Sequence, residues 1–279
     1  MAPRFHRFFQ KETPMSTKGT ALVTGASSGI GATYADRLAR RGYDLILVAR
    51  NQGRLEEAAA RLRAETGVKV EVLPADLSVQ ADVETVERRL RADAAITLLV
   101  NNAGLGPKEG SLGSDIAYQD TMIAVNVTAV NRLAIAATDA FAAKGAGTVV
   151  NVASVVALIP EMFSATYAAT KAFVLALTQS LQAETAKAGK AVKFQAVLPG
   201  LTRTEIFDRV GKSFDDLDQN MVMEVGEMVE AALTGLDQGE LVTIPSLPDP
   251  ADFNALNQAR YALGPNLSRN HAADRYKAG

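Results

Sequence analysis

Apolar positions in this chain gather into short runs, and longer amphipathic stretches lie between them. Thr20-Ala21-Leu22-Val23, Asp44–Val48, Lys69–Leu73, Ile96–Val100, Thr148–Val152 and Glu240–Ile244 have the length of strands and are rich in Val, Ile and Leu. Helical patterns fill the intervals. One follows the first strand and continues through Arg41, and others cover Gly53–Glu65, Val79–Arg91 and Glu224–Leu236. Ile116–Lys144 reads as one long helix, and Ser164–Phe173 opens another. Strands alternating with helices of ten or more residues imply parallel βαβ units with right-handed crossovers. The expected fold is therefore α/β: a doubly wound, Rossmann-type parallel sheet of about seven strands in a single domain.

That domain is expected to span residues 19–248. Residues 1–18 are basic and aromatic, without the apolar core of a secretory signal, and read as a disordered leader. After Pro245, Pro248 and Pro250, residues 249–279 read as an extension with a helix over Ala251–Leu263 and a polar tail.

Parallel sheets bind ligands outside the carboxyl ends of their strands. The first strand runs into Thr24-Gly25-Ala26-Ser27-Ser28-Gly29-Ile30-Gly31, a glycine-rich turn before a helix. This arrangement aims backbone N–H groups and a helix N-terminus at a phosphate. Gly25 permits the turn, Gly29 admits a pyrophosphate, and Gly31 allows close helix–strand packing. The second strand ends at Ala49-Arg50, where NAD-binding folds place a carboxylate for the ribose 2′-hydroxyl. Without that carboxylate, Arg50 can meet a 2′-phosphate, with Ser27 and Ser28 as further donors. NADP(H) is thus favoured over NAD(H). Asp76 and Asn102 fall at the ends of the next two strands and share the same rim.

Tyr167 and Lys171 lie four apart, one turn from each other on a helical face. An ammonium so near a phenol lowers a pKa that starts near about 10. Composition removes the competitors for this chemistry. There is no cysteine, and the two histidines, His6 and His271, sit in the polar tails. Thiol catalysis, a Ser-His-Asp site and a Cys- or His-based metal site are therefore not expected. A net charge of −2 gives no basic surplus for nucleic acid. The longest apolar runs are interrupted before the roughly 20 residues of a membrane span, and a cytoplasmic location is expected.

These motifs together resemble the short-chain dehydrogenases/reductases, in their compact single-domain branch. The resemblance rests on Thr24-Gly25-x3-Gly29-Ile30-Gly31, Asp76, Asn101-Asn102-Ala103-Gly104, Asn126, Ser154, Tyr167-x3-Lys171 and Pro199-Gly200-x3-Thr204, in order over about residues 19 to 245. It implies that Tyr167 is the catalytic acid/base, that Lys171 binds the nicotinamide ribose and lowers the tyrosine pKa, and that Ser154 orients the substrate oxygen. Asn126 would hold a water in the proton relay. Asp76 would contact adenine, with Leu77 beside it in the cofactor site. Asn102, Ala103 and Gly104 would line the cofactor, and Pro199, Gly200, Thr202 and Thr204 would hold the carboxamide. Ser27, Ser28 and Ile30 join the glycines of the first turn.

The implied reaction interconverts a carbonyl and an alcohol by hydride transfer to or from NADP(H). Val155, Val156, Leu158, Ile159, Met162 and Phe163, with Leu201, Ile206 and Phe207, suggest a moderately apolar small-molecule substrate. Met221, Val222 and Met223 either line the cleft or belong to a helix core, and Glu161 reads as a solvated loop carboxylate. Thr202–Asn220 is expected to cover the cofactor as a lid. A 3-oxoacyl thioester reductase and a non-catalytic NADP-binding sensor are the alternatives. Alanine-rich faces on Ile116–Lys144 and Phe173–Ala183 suggest a homodimer or homotetramer.

Overall fold

The computed structural model describes residues 18–108, 110–205 and 217–277. The calls on residues 1–17, on most of the 202–220 segment, and on Ile206 and Phe207 lie outside the described residues. In chain order the elements are β1 Thr20–Thr24, α1 Gly29–Arg40, β2 Asp44–Ala49, α2 Gln52–Thr66, β3 Val70–Pro74, α3 Gln80–Ala92 and β4 Ile96–Asn101. Next come α4 Ile116–Ile123, a π-helical turn Ala124–Ala129, α5 Val130–Lys144, β5 Gly147–Val152, α6 Ala165–Lys187 and β6 Val192–Val197. The two-residue strands β7 Thr202–Arg203 and β8 Met223–Glu224, then α7 Val225–Gln238, β9 Val242–Thr243 and α8 Pro250–Ala262 follow.

Seven parallel strands form one sheet in the order β3-β2-β1-β4-β5-β6-β9, as the Rossmann-type reading expects. Strand order reverses between β1 and β4, which makes their carboxyl ends the switch point of the sheet. Alternation within each strand divides the core. Ala21 and Val23, Leu45 and Leu47, Leu98 and Val100 pack with α1, α2 and α7 on one face. Leu22, Ile46, Val48, Ile96 and Leu99 pack with α3 and α5 on the other. Both faces are covered, so these strands read as continuous apolar runs.

Two expectations need correction. No strand is assigned by the sequence reading to Val192–Val197, because Lys193 and Gln195 break its apolar run. Gln195 is nonetheless fully buried, and its amide donates to Ala232 O at 2.7 Å and to Thr243 Oγ1 at 2.8 Å. Those bonds offset the cost of a buried amide and tie β6 to α7 and β9. The expected single helix over Ile116–Lys144 is interrupted by the π-turn, which holds Asn126. A π-turn inserted into an α-helix commonly marks a functional position. This 116–144 stretch is long and apolar enough to cross a membrane by length and composition, but 56% of its most apolar window is buried inside the protein.

The described chain divides into two compact units, one up to Pro245 and one from Ser246. In the second, Asp249 caps α8 by accepting from Ala251 N at 2.8 Å, and Leu256, Tyr261, Leu263 and Leu267 are exposed.

Candidate active site

The carboxyl ends of β1 and β4 are clamped together by one threonine. Thr24 Oγ1 accepts from Asn102 N and Ala103 N, each at 3.0 Å, and Asn102 Nδ2 donates to Thr24 O at 2.9 Å. Gly25 has φ +68°, and a Cβ there would stand 2.7 Å from Asn102 Nδ2. A Cβ at Gly31 would stand 2.3 Å from Gly25 O, so both positions require glycine. Gly29 faces Thr204, which a Cβ would approach to 3.3 Å. Ser28 is the N-cap residue of α1, and Ser27, Gly29 and Ile30 complete the turn that presents the helix N-terminus.

At the end of β2, Arg50 is exposed and stands 3.9 Å from Asp76, past the end of β3. Burial pushes the Asp76 carboxyl up, but the Ser78 hydroxyl and amide and the Arg50 charge outweigh it and hold the pKa below the usual carboxylate range. Leu77 is buried and packs in the core on the α3 and α5 side of the sheet. Arg54, in the first turn of α2, pairs with Glu205 at 2.8 Å. Asn51 accepts from Arg54 N at 3.0 Å and caps that helix.

A second group of residues gathers at the ends of β4, β5 and β6. Asn126 is buried, and its amide brackets Leu105. Oδ1 accepts from Leu105 N at 2.8 Å, and Nδ2 donates to Leu105 O at 3.0 Å and to Thr170 Oγ1 at 3.2 Å. Thr170 Oγ1 donates in turn to Tyr167 O at 2.8 Å, so Asn126 is tied to the helix that carries Tyr167. A Cβ at Gly104 would stand 3.3 Å from Asn126 Oδ1 and 3.6 Å from Lys171 Nζ. Lys171 is buried, and its ammonium donates to Val152 O at 3.0 Å. Ser154 Oγ donates to Pro199 O at 3.3 Å and is hydrogen-bonded to the Tyr167 hydroxyl. Gly200 O accepts from Thr202 Oγ1 at 3.2 Å, and Thr202 O accepts from Thr204 Oγ1 at 3.4 Å, which shapes the turn after β6.

The sequence expectation of a lowered Tyr167 pKa is not met. Burial pushes the phenol up to about 12, and the Ser154 hydrogen bond pulls it back only in part. Burial takes Lys171 down to about 8. The Lys171 ammonium is turned to Val152 O and lies 5.8 Å from the centre of the tyrosine ring. At neutral pH this arrangement holds a protonated phenol beside a serine hydroxyl, two donors able to meet one oxygen.

The apolar residues assigned to the cleft divide. Val156 is buried, and Val155 and Leu158 pack against the core around α6. Met223 packs against the core on the α1 side, whereas Met221 is exposed. Ile159, Met162 and Phe163 remain exposed. A cavity of about 460 Å³ lies between Met162–Ala165 and the loop carrying Pro107 and Leu112. Among the described residues, its lining carries no charged side chain. Among the described residues there is no cluster of three or more His, Cys, Asp or Glu able to hold a metal.

Sequence reasoning did not single out Thr170, Tyr118 or Ser164. Thr170 immediately precedes Lys171, which was its only signal. Tyr118 anchors the loop after β4, donating to Gly106 O at 2.7 Å, and Lys108 Nζ sits 4.2 Å from its ring centre.

Comparison with known proteins extends this picture. The family model for the short chain dehydrogenases matches residues 19–214. A short-chain dehydrogenase from Sphingobium yanoikuyae, solved in complex with NADPH, is 50% identical with a TM-score of 0.88, covering 92% of this chain and 100% of that one. The bulky-bulky ketone specific alcohol dehydrogenase from Comamonas testosteroni is 46% identical with a TM-score of 0.85, covering 92% and 98%. A very-long-chain 3-oxoacyl-CoA reductase of Danio rerio is 33% identical over 67% of this chain and 59% of its own length.

Proposed function

This chain belongs to the short-chain dehydrogenase family, and from that premise we propose that it is an NADP(H)-dependent reductase of apolar ketones, reversible as an alcohol dehydrogenase. The observation that carries the reading is the Ser154–Tyr167 hydroxyl pair beside buried Lys171, on the rim that also holds the glycine turn and Arg50.

The residues present fit the cofactor. The glycine turn can take the pyrophosphate, Arg50 the 2′-phosphate, and the space over Gly104 the ribose beside Lys171. When bound, NADPH supplies the hydride. The chain's own part is to bind and polarise the carbonyl. Ser154 and Tyr167 donate to its oxygen, where negative charge builds, and Tyr167 transfers its proton there. Lys171, protonated at neutral pH, stabilises the tyrosinate left behind and holds the ribose. Thr170 and Asn126 fix the catalytic helix against Leu105, and Asn126 holds the water through which Tyr167 is reprotonated.

The substrate is a ketone with large apolar groups. The cavity, whose described lining carries no charged side chain, supports this, and so does the 46% identity to an alcohol dehydrogenase named for bulky-bulky ketones. Reduction of a 3-oxoacyl thioester is the second reading, favoured by likeness to the 3-oxoacyl-CoA reductase. It is placed second because the described residues that line the cavity offer no cation to a phosphorylated carrier. Helix faces on α5 and α6 support assembly as a homodimer or homotetramer.

The test is NADPH oxidation against ketones and 3-oxoacyl thioesters, with Tyr167→Phe in parallel. The variant is expected to lose turnover about 10²–10⁴-fold while NADPH affinity changes little. Wild-type turnover in the variant would refute the proposed mechanism.

A further inference from the structure

Tyr167, Lys171, Val174 and Thr178 follow one another at steps of four, three and four residues, so they share one face of α6. Lys171, Val174 and Thr178 on that face are buried. Thr178 lies three turns past Tyr167, about 16 Å along the helix axis, too far to touch a carbonyl held there. Its hydroxyl nevertheless belongs to a buried hydrogen-bond chain that reaches the strands of the site.

Asn101 Nδ2 donates to Val130 O at 3.4 Å and to Asn151 Oδ1 at 3.0 Å. Asn151 Nδ2 donates to Thr178 Oγ1 at 3.0 Å, and Thr178 Oγ1 donates to Val174 O at 2.7 Å. Asn101 and Asn151 are register partners on β4 and β5, and all three side chains are buried. The polarity of the chain is fixed from one end. Thr178 gives its one hydroxyl proton to Val174 O, so towards Asn151 it can only accept. Asn151 therefore turns its Nδ2 to α6 and its Oδ1 to Asn101.

Polar side chains inside an apolar layer are costly unless they are hydrogen-bonded. Once satisfied, such a network specifies one arrangement of the elements it joins. Val174 and Leu181 also pack α6 into the core, but apolar contacts are non-directional and tolerate a small slide of the helix. Lys171 bonds to Val152 O of β5 through a flexible four-carbon stem. Thr178 and Asn151 have short side chains, and threonine is stiff at χ1, so their bond holds the backbone of α6 against that of β5. Three residues beyond Asn151 the chain reaches Ser154, and α6 carries Tyr167.

We propose that Asn151 and Thr178, backed by Asn101, are positioning residues: they pin the register of α6 on β5 and so hold the Tyr167 hydroxyl at hydrogen-bonding distance from Ser154 Oγ. The inference rests on the reading of Tyr167 as the proton donor. It is independent of which carbonyl compound is reduced, because the pin acts through Ser154 and Tyr167.

The test follows NADPH-dependent reduction of benzophenone, or of acetoacetyl-CoA if the wild type favours the thioester. Thr178→Val keeps the side chain's shape and removes its hydroxyl. It is expected to lower kcat about tenfold, since a misplacement of 1 Å far from the chemistry can cost about 10²-fold. NADPH affinity, read by fluorescence, is expected to stay within about twofold of wild type, a loss confined to the transition state. Thr178→Ser restores the hydroxyl and is expected to recover kcat to within about threefold. In a Ser154→Ala background the distance being held no longer matters, and adding Thr178→Val is expected to cost less than about threefold. Should Thr178→Val not fold, the double variant Asn151→Leu/Thr178→Val removes both partners, orphans no hydrogen between them, and carries the same expectations. Unchanged kcat in a folded variant overturns the pin. An equal loss in the wild-type and Ser154→Ala backgrounds overturns it too, as does a loss that Thr178→Ser fails to recover. An inactive Tyr167→Phe beside an unaffected Thr178→Val overturns the pin alone. Wild-type turnover in Tyr167→Phe, or no turnover of either compound by the wild type, overturns the underlying reading and the pin with it.

Discussion

Lys171 is held in the fold against its own solvation, and removing its charge separates stability from function. The residue is 7% exposed, and burial takes its pKa from the ordinary 10.5 to about 8. That drop corresponds to about 3 kcal/mol by which the folded state disfavours the charge. Because the folded pKa lies below the unfolded one, the unfolded chain binds more protons between pH 8 and 10.5, and stability rises with pH across that window. Below about pH 8 the full cost is present. Tyr167 acts at higher pH and with the opposite sign. With its folded pKa pushed up to about 12, the folded chain retains the phenol proton as pH rises above 10, so stability falls there. Replacing Lys171 by Met removes the buried charge and loses one charge-assisted hydrogen bond to Val152 O, worth about 1.5–3 kcal/mol. The balance favours the variant by about 1 kcal/mol at pH 7. Urea unfolding of the protein without added cofactor, from pH 7 to 10, measures both quantities. The variant is expected to match or exceed wild type at pH 7, to lack the rise between pH 8 and 10, and to have lost turnover. A variant that is less stable by 2 kcal/mol or more, with a flat wild-type profile, would falsify the burial argument.

Other outcomes follow from the same geometry. Arg50→Ala is expected to raise KM for NADPH about 10- to 100-fold and to leave KM for NADH nearly unchanged, since one charged hydrogen-bonding partner of the 2′-phosphate is lost. Steady-state kinetics with both cofactors would expose an equal change in the two as evidence against that role. Asn126→Ala removes the bonds to Leu105 and Thr170 and is expected to destabilise the fold by about 2–3 kcal/mol, with turnover falling further than the loss of folded protein explains. Denaturant melts set beside active-site titration distinguish the two effects. At saturating cofactor, alcohol oxidation is expected to rise with pH from 7 to 9, because it needs the tyrosinate of a phenol held high by burial, while ketone reduction stays level. Oxidation that is level over that range points to a base other than Tyr167.

What the sequence determined by itself was local. The glycine turn, the Arg50 position and the Tyr167–Lys171 spacing are encoded within a few residues each, and backbone periodicity places them at strand ends and on one helical face. Alternation of apolar runs with helical patterns was enough for the doubly wound sheet. Tertiary structure decided whatever depended on neighbours distant in the chain. Gln195 reads as a polar interruption until Thr243 and the Ala232 carbonyl take up its Nε2 hydrogens, and only then is β6 an interior strand. Val155, Val156 and Leu158 read as cleft-lining, yet the core around α6 takes them and leaves Met162 and Phe163 exposed. The sign of the Tyr167 shift belongs here too. Four residues of spacing put a lysine near the phenol, but the depth of burial and the Val152 carbonyl that holds the ammonium are fixed only when β5 and α6 meet. Sequence spacing carries the identity of a site's groups. Their solvation, which sets their energies, is a property of the packed fold.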